Sequence, residues 1–525
     1  MSNAYRDIYV SEPRIGMIKT LLEELLRVVE LENDGEPVKV NGFRLRDLQD
    51  WVVKLPSVTP NMLLQGLAPG CNASCRFCYI KGTPPDWGFS TRSLTSVKDE
   101  LYDEEAGQAL FWSLRQWYEP FSSPDICECL ALIRQKSDQW LYITTNGRGL
   151  TEAVIDQLAE LGNIFLTVSL NSANPAIRSE LMRDPTPEVA ISSLGHLRRR
   201  GIPFAVSHVP WPSVPLSDLR ESILFADEAG AESVRVSLPG YTKYNGDDAG
   251  WFDIQQYWTQ VVRAILPLRY EIEAPLVIYP YLFEEPFGPA PLNSARIVGI
   301  GRDSPAKSAG LQIDDVIVAV NGTPVISRPH ARDLLWKAVE SGANVVHCTV
   351  TRDGELLDFV LETAPTQFRY LSGTPDNPYG SPFGIYLPSG FRRQTLTLLK
   401  RAIREAGARC VLVPTTQLMK PLLDKALSES DFWRNLDAEV HFVIPQNIIL
   451  GGAIIMGDLL TNPDLIACIE DFKRTNCPPD LVCLSSSIFT PVMGWMRDVN
   501  GHYYKEIERV TGVPIRIIPH EIITW

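Results

Sequence analysis

Cysteine, histidine and unbroken apolar sequence are all scarce in this 525-residue chain. Ten cysteines are too few for a disulfide scaffold, so their spacing carries more information than their number. The seven histidines form no i, i+4 pair and no Cys/His cluster, which argues against a zinc enzyme. The most apolar long stretch, Val443 to Leu460, is interrupted by Pro445, Gln446, Asn447, Gly451, Gly452 and Asp458. A membrane-spanning helix needs about 20 nearly unbroken apolar residues, so no membrane partner is expected. Positive charge is also in deficit, with 49 Lys and Arg against 63 Asp and Glu, a net −14 spread along the sequence. A binder of phosphate backbones needs clustered cations, so nucleic acid is not an expected partner. Residues Met1 to Pro13 carry charges of both signs and no apolar core segment. No secretory signal is therefore expected, and the expected location is the cytoplasm, where thiols stay reduced.

The length allows about three to four domains at roughly 100–200 residues each. Ile15, Ile18, Leu22, Leu25, Leu26 and Val29 recur at helical spacing, which predicts an amphipathic helix over Ile15 to Leu31 that caps the next domain. From Asn61 onward, short apolar runs alternate with longer amphipathic ones. Strands are expected at Asn61 to Leu67, Leu141 to Thr145, Ile164 to Leu170, Phe204 to Val209 and Ser233 to Leu238. Helices are expected at Thr151 to Leu161, Pro187 to Arg200 and Leu216 to Ala229. That alternation is the mark of repeated βα units on a parallel sheet, whose functional residues sit at the carboxyl ends of the strands.

The character changes at the Pro-rich joint Phe287 to Pro291. Turn signals at Ser304-Pro305, Asn321-Gly322 and Asp353-Gly354 then divide a small β-rich module. The run Ser304-Pro305-Ala306, Ala309-Gly310-Leu311, Asp315-Val316-Ile317, Val320-Asn321-Gly322 resembles a PDZ domain. Such domains hold the C-termini of other polypeptides on a sheet edge beside a Gly-rich loop. Residues 289–294 have no such loop, so an intramolecular packing role is expected. Beyond Thr363 the α/β pattern returns, with helices at Arg392 to Ala406 and Asn462 to Arg474. Strands follow at Cys410 to Pro414, Glu439 to Ile444, Leu481 to Leu484 and Val513 to Ile518. The expected division is 1–55 as a helical cap, 56–286 as the βα core, 287–365 as the PDZ-like module and 366–525 as a C-terminal α/β domain.

Three of the cysteines fall within eight residues: Cys71, Cys75 and Cys78, at spacing C-x3-C-x2-C. Three thiolates so placed can hold three irons of one inorganic cube and leave the fourth without a protein ligand. A structural zinc would ask for four protein ligands. Gly70 lets the loop turn tightly and Phe77 supplies an apolar wall, and both favour the cluster.

Cys71-x3-Cys75-x-Phe77-Cys78, after a strand at the start of a βα domain, resembles the radical S-adenosylmethionine superfamily. The resemblance implies a partial (β/α)6-type barrel and a 4Fe-4S cluster on these cysteines. It also implies S-adenosylmethionine on the open iron, an electron donor such as flavodoxin or ferredoxin, and radical chemistry on a small-molecule substrate. Tyr118-Glu119-Pro120 stands where the family often has Gly-Gly-Glu-Pro, whose backbone receives the methionine amino group. Leu141 to Gly147 matches the strand that ends Thr145-Asn146-Gly147. Ser169 and Asn171 lie where the family bonds ribose and carboxylate, and Ser207 with His208 ends the strand facing the adenine. The whole sequence is similar to a bacterial family of iron-sulfur oxidoreductases that joins a radical core, a PDZ-like part and a C-terminal α/β domain. Matching segments include Phe165 to Pro175 with Arg178 to Met182, Gly240 to Tyr244, and Ile449 to Ala453 with Gly457 to Thr461.

Other features are weaker. Cys127 and Cys129 begin an expected helix after Glu119 and are candidate second-cluster ligands, as are Cys468, Cys477 and Cys483; for both sets packing is the plainer reading. Tyr241, Lys243 and Tyr244 are candidates for a substrate carboxylate or phosphate, or a solvated loop. Gly451-Gly452 marks a bulge or a close backbone approach to a ligand. No cobalamin-binding Asp-x-His-x-x-Gly string is present. The reading from another class is a non-catalytic protein in which the cysteines hold a structural metal and the PDZ-like module recruits a partner.

Overall fold

The computed structural model describes residues 71–78, 119–136, 140–245, 251–280, 291–362, 382–387, 390–455, 457–489, 498–500 and 502–518. It also describes Asp138 and a small strand pair, Lys39–Val40 with Phe43–Arg44. The expected helix at 15–31 and strand at 61–67 lie outside these residues.

A five-stranded parallel sheet forms the first unit: β1 (Leu141–Thr145), β2 (Ile164–Ser169), β3 (Phe204–His208), β4 (Val234–Ser237) and β5 (Leu276–Tyr279). The strands lie side by side in sequence order. β2 and β3 are buried almost throughout, which is why they read as apolar runs without alternation. The helices of this unit are α1 (Ile126–Lys136), which precedes β1, and α2 (Glu152–Leu161), α3 (Pro175–Met182), α4 (Pro187–Arg200), α5 (Leu216–Glu228) and α6 (Ile254–Ile265), which lie between strands. Their ends follow local chemistry. Thr151 caps α2, Asn174 caps α3 ahead of Pro175, and Asp253 caps α6, each accepting backbone N–H bonds. Gly201 closes α4 at φ 67°. Leu130, Ile133, Leu158, Leu194, Val262 and Trp258 are fully buried between helices and sheet. Burial of each such aliphatic side chain stabilises by about 1.5–3 kcal/mol. β5 escapes sequence reading because Pro275 and Pro280 bracket a four-residue run that looks like loop.

The β-rich module contains β6 (Gly299–Ile300), α7 (Pro305–Ala309), β7 (Val316–Val320), β8 (Thr323–Pro324), α8 (Arg328–Glu340), β9 (Val345–Arg352), β10 (Glu355–Glu362) and β11 (Ile385–Tyr386). Four strands make an antiparallel sheet in the order β8-β7-β9-β10, and β6 pairs with β11. Asp353 and Gly354 both have positive φ, the geometry of a tight hairpin. The module's core extends past the expected edge at 365, because Phe383, Ile385 and Leu387 pack with Ala306, Leu335 and Val350. A glycine-bearing turn, Pro382 to Gly384, leads into β11. The module is tied to the first unit. Arg302 pairs with Asp227 and, at 2.9 Å, with Glu273; Tyr270 Oη donates to Asp314 at 2.5 Å. Val277 and Tyr279 pack against Val298 and Tyr386.

The last unit carries α9 (Arg393–Ala406), β12 (Cys410–Pro414), α10 (Lys420–Ser428), β13 (Glu439–Val443), α11 (Asn462–Thr475), β14 (Leu481–Ser485), α12 (Lys505–Thr511) and β15 (Ile515–Ile518). Its sheet is parallel in the order β13-β12-β14-β15. Among the described residues no helix is long and apolar enough to cross a membrane.

Candidate functional site

The cysteine loop is anchored by backbone bonds to the end of α3: Ser74 N donates to Met182 O and Arg76 N to Leu181 O, both at 3.0 Å. Cys78 N closes a turn onto Cys75 O. Cys71 is exposed, and Cys75 and Cys78 are half-buried. Cys71 Sγ accepts from Ala73 N at 3.4 Å and from Asn146 Nδ2 at 3.5 Å. Desolvation of the sulfur raises its pKa and the Glu119 charge adds to the rise, while those two donors oppose it. The three thiols share one short loop, but among the described residues no three His, Cys, Asp or Glu side chains converge into a metal-holding group.

Glu119 is buried beside this loop. Its Oε1 accepts from Thr145 Oγ1 at 2.5 Å and Phe121 N at 3.2 Å, and its Oε2 accepts from Asn146 N at 2.6 Å. Burial pushes the carboxyl up to about 7, against these donors and the Arg178 charge. Asn146, just past β1, gives its backbone to Glu119 while its side chain reaches Cys71 and, at 2.7 Å, Asn72 Oδ1. Glu119, Thr145 and Asn146 thus meet beside Cys71.

A second group gathers at the ends of β2 and β3. Asn171, left-handed at φ 61°, accepts from Val209 N through Oδ1 at 2.8 Å, while its N–H donates to Ser207 O. Its Nδ2 lies 3.3 Å from Met182 Sδ. Ser169 and Ser207 are register partners at the ends of their strands. His208 is fully buried, and neither ring nitrogen has a hydrogen-bond partner. Burial pushes its pKa down to about 4, with the Arg178 charge adding and the Asn171 backbone opposing. A small recess is lined by Asn171, Leu181, Val209, Trp211 and Tyr257.

Arg178 joins the two groups, and sequence reasoning assigned it no role. Wholly buried, it pairs through Nε with Asp184 at 3.1 Å, and donates through Nη1 to Ser169 O at 2.9 Å and Leu170 O at 2.5 Å. Nη2 donates to Asn146 O at 2.5 Å. One guanidinium therefore fixes the spacing of two strand ends and, through Asn146, the side chain at Cys71. A signal existed: the Arg178/Asp184 pair spans the end of α3, where the left-handed Arg183 turns the backbone.

The weaker candidates disperse. Cys129 is buried and Cys127 half-buried in the first core. Cys483 packs with Val411 and Val413 on one face of the last sheet, while Cys410 and Leu412 belong to the other face with α11, the helix that carries Cys468. Tyr241 Oη donates to Phe252 O, and Lys243 Nζ to Ile448 O, so both are engaged within the protein. Gly452 is a close backbone approach, but to Tyr241 rather than to a ligand.

Residues 67–226 match the sequence model of the radical SAM superfamily, and residues 296–340 that of the PDZ domain. Among solved structures, the protein is similar to Streptococcus suis SuiB at 17% identity, over 50% of this chain and 59% of that one, with a TM-score of 0.33. The S-adenosylmethionine-bound form of SuiB matches at 15% identity over 50% and 60%, with a TM-score of 0.33. The PDZ domain of EpsC from Vibrio cholerae matches at 30% identity over 13% of this chain and 76% of that one, with a TM-score of 0.11. The match spans about three-fifths of the length of SuiB. No curated protein matches the sequence.

Proposed function

We propose, for a protein that carries a radical SAM domain followed by a PDZ domain, an enzyme that cleaves S-adenosylmethionine reductively and modifies a small-molecule substrate. The observation that carries this reading is the cysteine loop itself: three thiols on one backbone-anchored loop, beside a buried carboxylate. The donor set fits a 4Fe-4S cluster, since thiolates are the ligands such clusters take. Cys71, Cys75 and Cys78 would hold it. When bound, the cluster and S-adenosylmethionine supply one-electron cleavage of a carbon–sulfur bond and a carbon radical.

The protein's own residues do the rest. Glu119 stands poised near neutrality, so a cationic amino group brought against it would favour the carboxylate and be held by it. Thr145 and the Asn146 N–H fix the orientation of that carboxylate. Ser169 and Asn171 stand at the strand end assigned to ribose and carboxylate, and Ser207 with His208, which burial holds neutral, ends the strand assigned to the base. The electron donor is a small carrier such as flavodoxin or ferredoxin.

Anaerobic reconstitution tests the reading. It should load about four iron and four sulfide per protein molecule and yield 5′-deoxyadenosine only with a reductant. Zinc in place of iron, or a triple Cys71/Cys75/Cys78→Ala variant that keeps both iron and product, would reject it.

A further inference from the structure

The loop after β13 in the last unit reaches the loop after β4 in the first, so the carboxyl ends of the two parallel sheets meet. Two backbone bonds join them: Lys243 N donates to Leu450 O at 2.9 Å, and Ala453 N to Tyr241 O at 2.8 Å. Lys243 Nζ adds a bond to Ile448 O at 3.0 Å. The incoming loop is stiffened from its own side. Asp464 Oδ1 accepts from Ile448 N and Ile449 N, and Asn447 Oδ1 from Leu450 N and Gly451 N. The receiving loop continues to the cysteines, because Asn245 Nδ2 donates to Cys78 O at 3.2 Å. Behind the bonds, Ala453 and Ile455 share an apolar cluster with Tyr241, Met182, Cys75 and Phe77.

We propose that residues 447–455 of the C-terminal domain form a wall of the radical cavity, sealing its mouth beside Cys75 and Cys78 against water and oxidants. The proposal rests on the radical reading for the word radical, and on geometry alone for the seal. A wall from a separate domain accounts for the Lys243 bond to Ile448 O across the two loops. It also places Ala453 and Ile455 where the volume admitted beside the cysteine loop is set.

Gly451 and Gly452 supply the test. Both sit at φ 64°, so alanine costs the same left-handed strain at either. A Cβ at Gly451 would lie 3.5 Å from the flexible Lys243 side chain, whereas one at Gly452 would lie 2.1 Å from the Tyr241 carbonyl oxygen. Gly452→Ala should therefore part the loops where Gly451→Ala does not. The readout is alkylation of the full-length, iron-free protein by iodoacetamide, resolved by peptide mass spectrometry. Gly452→Ala should raise labelling of Cys75 and Cys78 several-fold over both wild type and Gly451→Ala, with the exposed Cys477 unchanged as internal standard. Ile455→Ser, which leaves every backbone bond in place, carries the same expectation should Gly452→Ala not fold. Labelling equal to wild type in these variants overturns the wall, whether or not S-adenosylmethionine is cleaved. Raised labelling in a protein that cleaves none keeps the wall and rejects the enzyme reading alone.

Discussion

Replacing Arg178 by Met removes the charge that two strand ends and the cysteine loop share. The buried Asp184 loses its bond from Nε, and the carbonyls of Asn146, Ser169 and Leu170 each lose a donor, although Leu170 O keeps Ser172 N and Ser169 O keeps Asn171 Nδ2. Asp184 keeps Arg148 at 3.3 Å and the Thr186 N–H, so the loss is not total. Removing one partner of a buried ion pair costs about 3–5 kcal/mol, and the Arg148 contact places this case toward the lower end. For a unit of this size, about 3 kcal/mol corresponds to a melting shift of roughly 6–12 °C. Several domains unfold in this protein, so the assay is hydrogen exchange resolved to β1 and β2, run alongside urea unfolding. Arg178→Lys should recover little, because an ammonium is a point charge and cannot span three carbonyls as a planar fork does. The double variant Arg178→Met/Asp184→Leu should be more stable than Arg178→Met, since it removes the stranded carboxylate as well. A loss below about 1 kcal/mol for Arg178→Met would refute the reasoning, because that is the scale of an exposed pair.

Other expectations concern the same site and its neighbours. His208, ordinarily near 6.5 and held at about 4, contributes stability fully above pH 6.5 that is lost as the pH falls toward 4. Glu119, raised from 4.5 to about 7, contributes stability below pH 4.5 that is lost as the pH rises through 7. The two slopes oppose each other, so urea midpoints from pH 4 to 8 should vary more weakly in wild type than in either His208→Phe or Glu119→Gln; parallel profiles would exclude this. Glu119→Gln should also weaken S-adenosylmethionine binding about tenfold, or 1.4 kcal/mol, measured by calorimetry on reconstituted protein of unchanged iron content. Asp464→Ala removes the acceptor for Thr461 N and Oγ1 and for Ile448 N and Ile449 N. It should cost at least about 2 kcal/mol and speed hydrogen exchange at 448–453; unchanged exchange there would count against the bracing assigned to it.

What could be read from the sequence and what could not divides along sequence distance. The cysteine loop and the Thr145-Asn146-Gly147 turn are local patterns, and βα alternation predicted four of the five strands of the first sheet. The strand β11 was hidden because it completes the β-rich module from beyond 362, pairing with Gly299–Ile300. Arg178 was hidden because a charged residue on a short helix ordinarily faces water, and it is Asp184 with the carbonyls of three other residues, all beyond its own helix, that turn it inward. The Lys243 bond to Ile448 spans 205 residues. Two adjacent glycines show why such contacts escape a pattern. Gly451 and Gly452 have the same side chain, the same φ and the same apolar surroundings in sequence, so every local rule treats them alike. They differ only in what stands opposite, a movable lysine for one and a hydrogen-bonded carbonyl for the other. The constraint on Gly452 therefore belongs to the meeting of two domains, and a substitution there reports on that meeting more directly than on the loop that carries it.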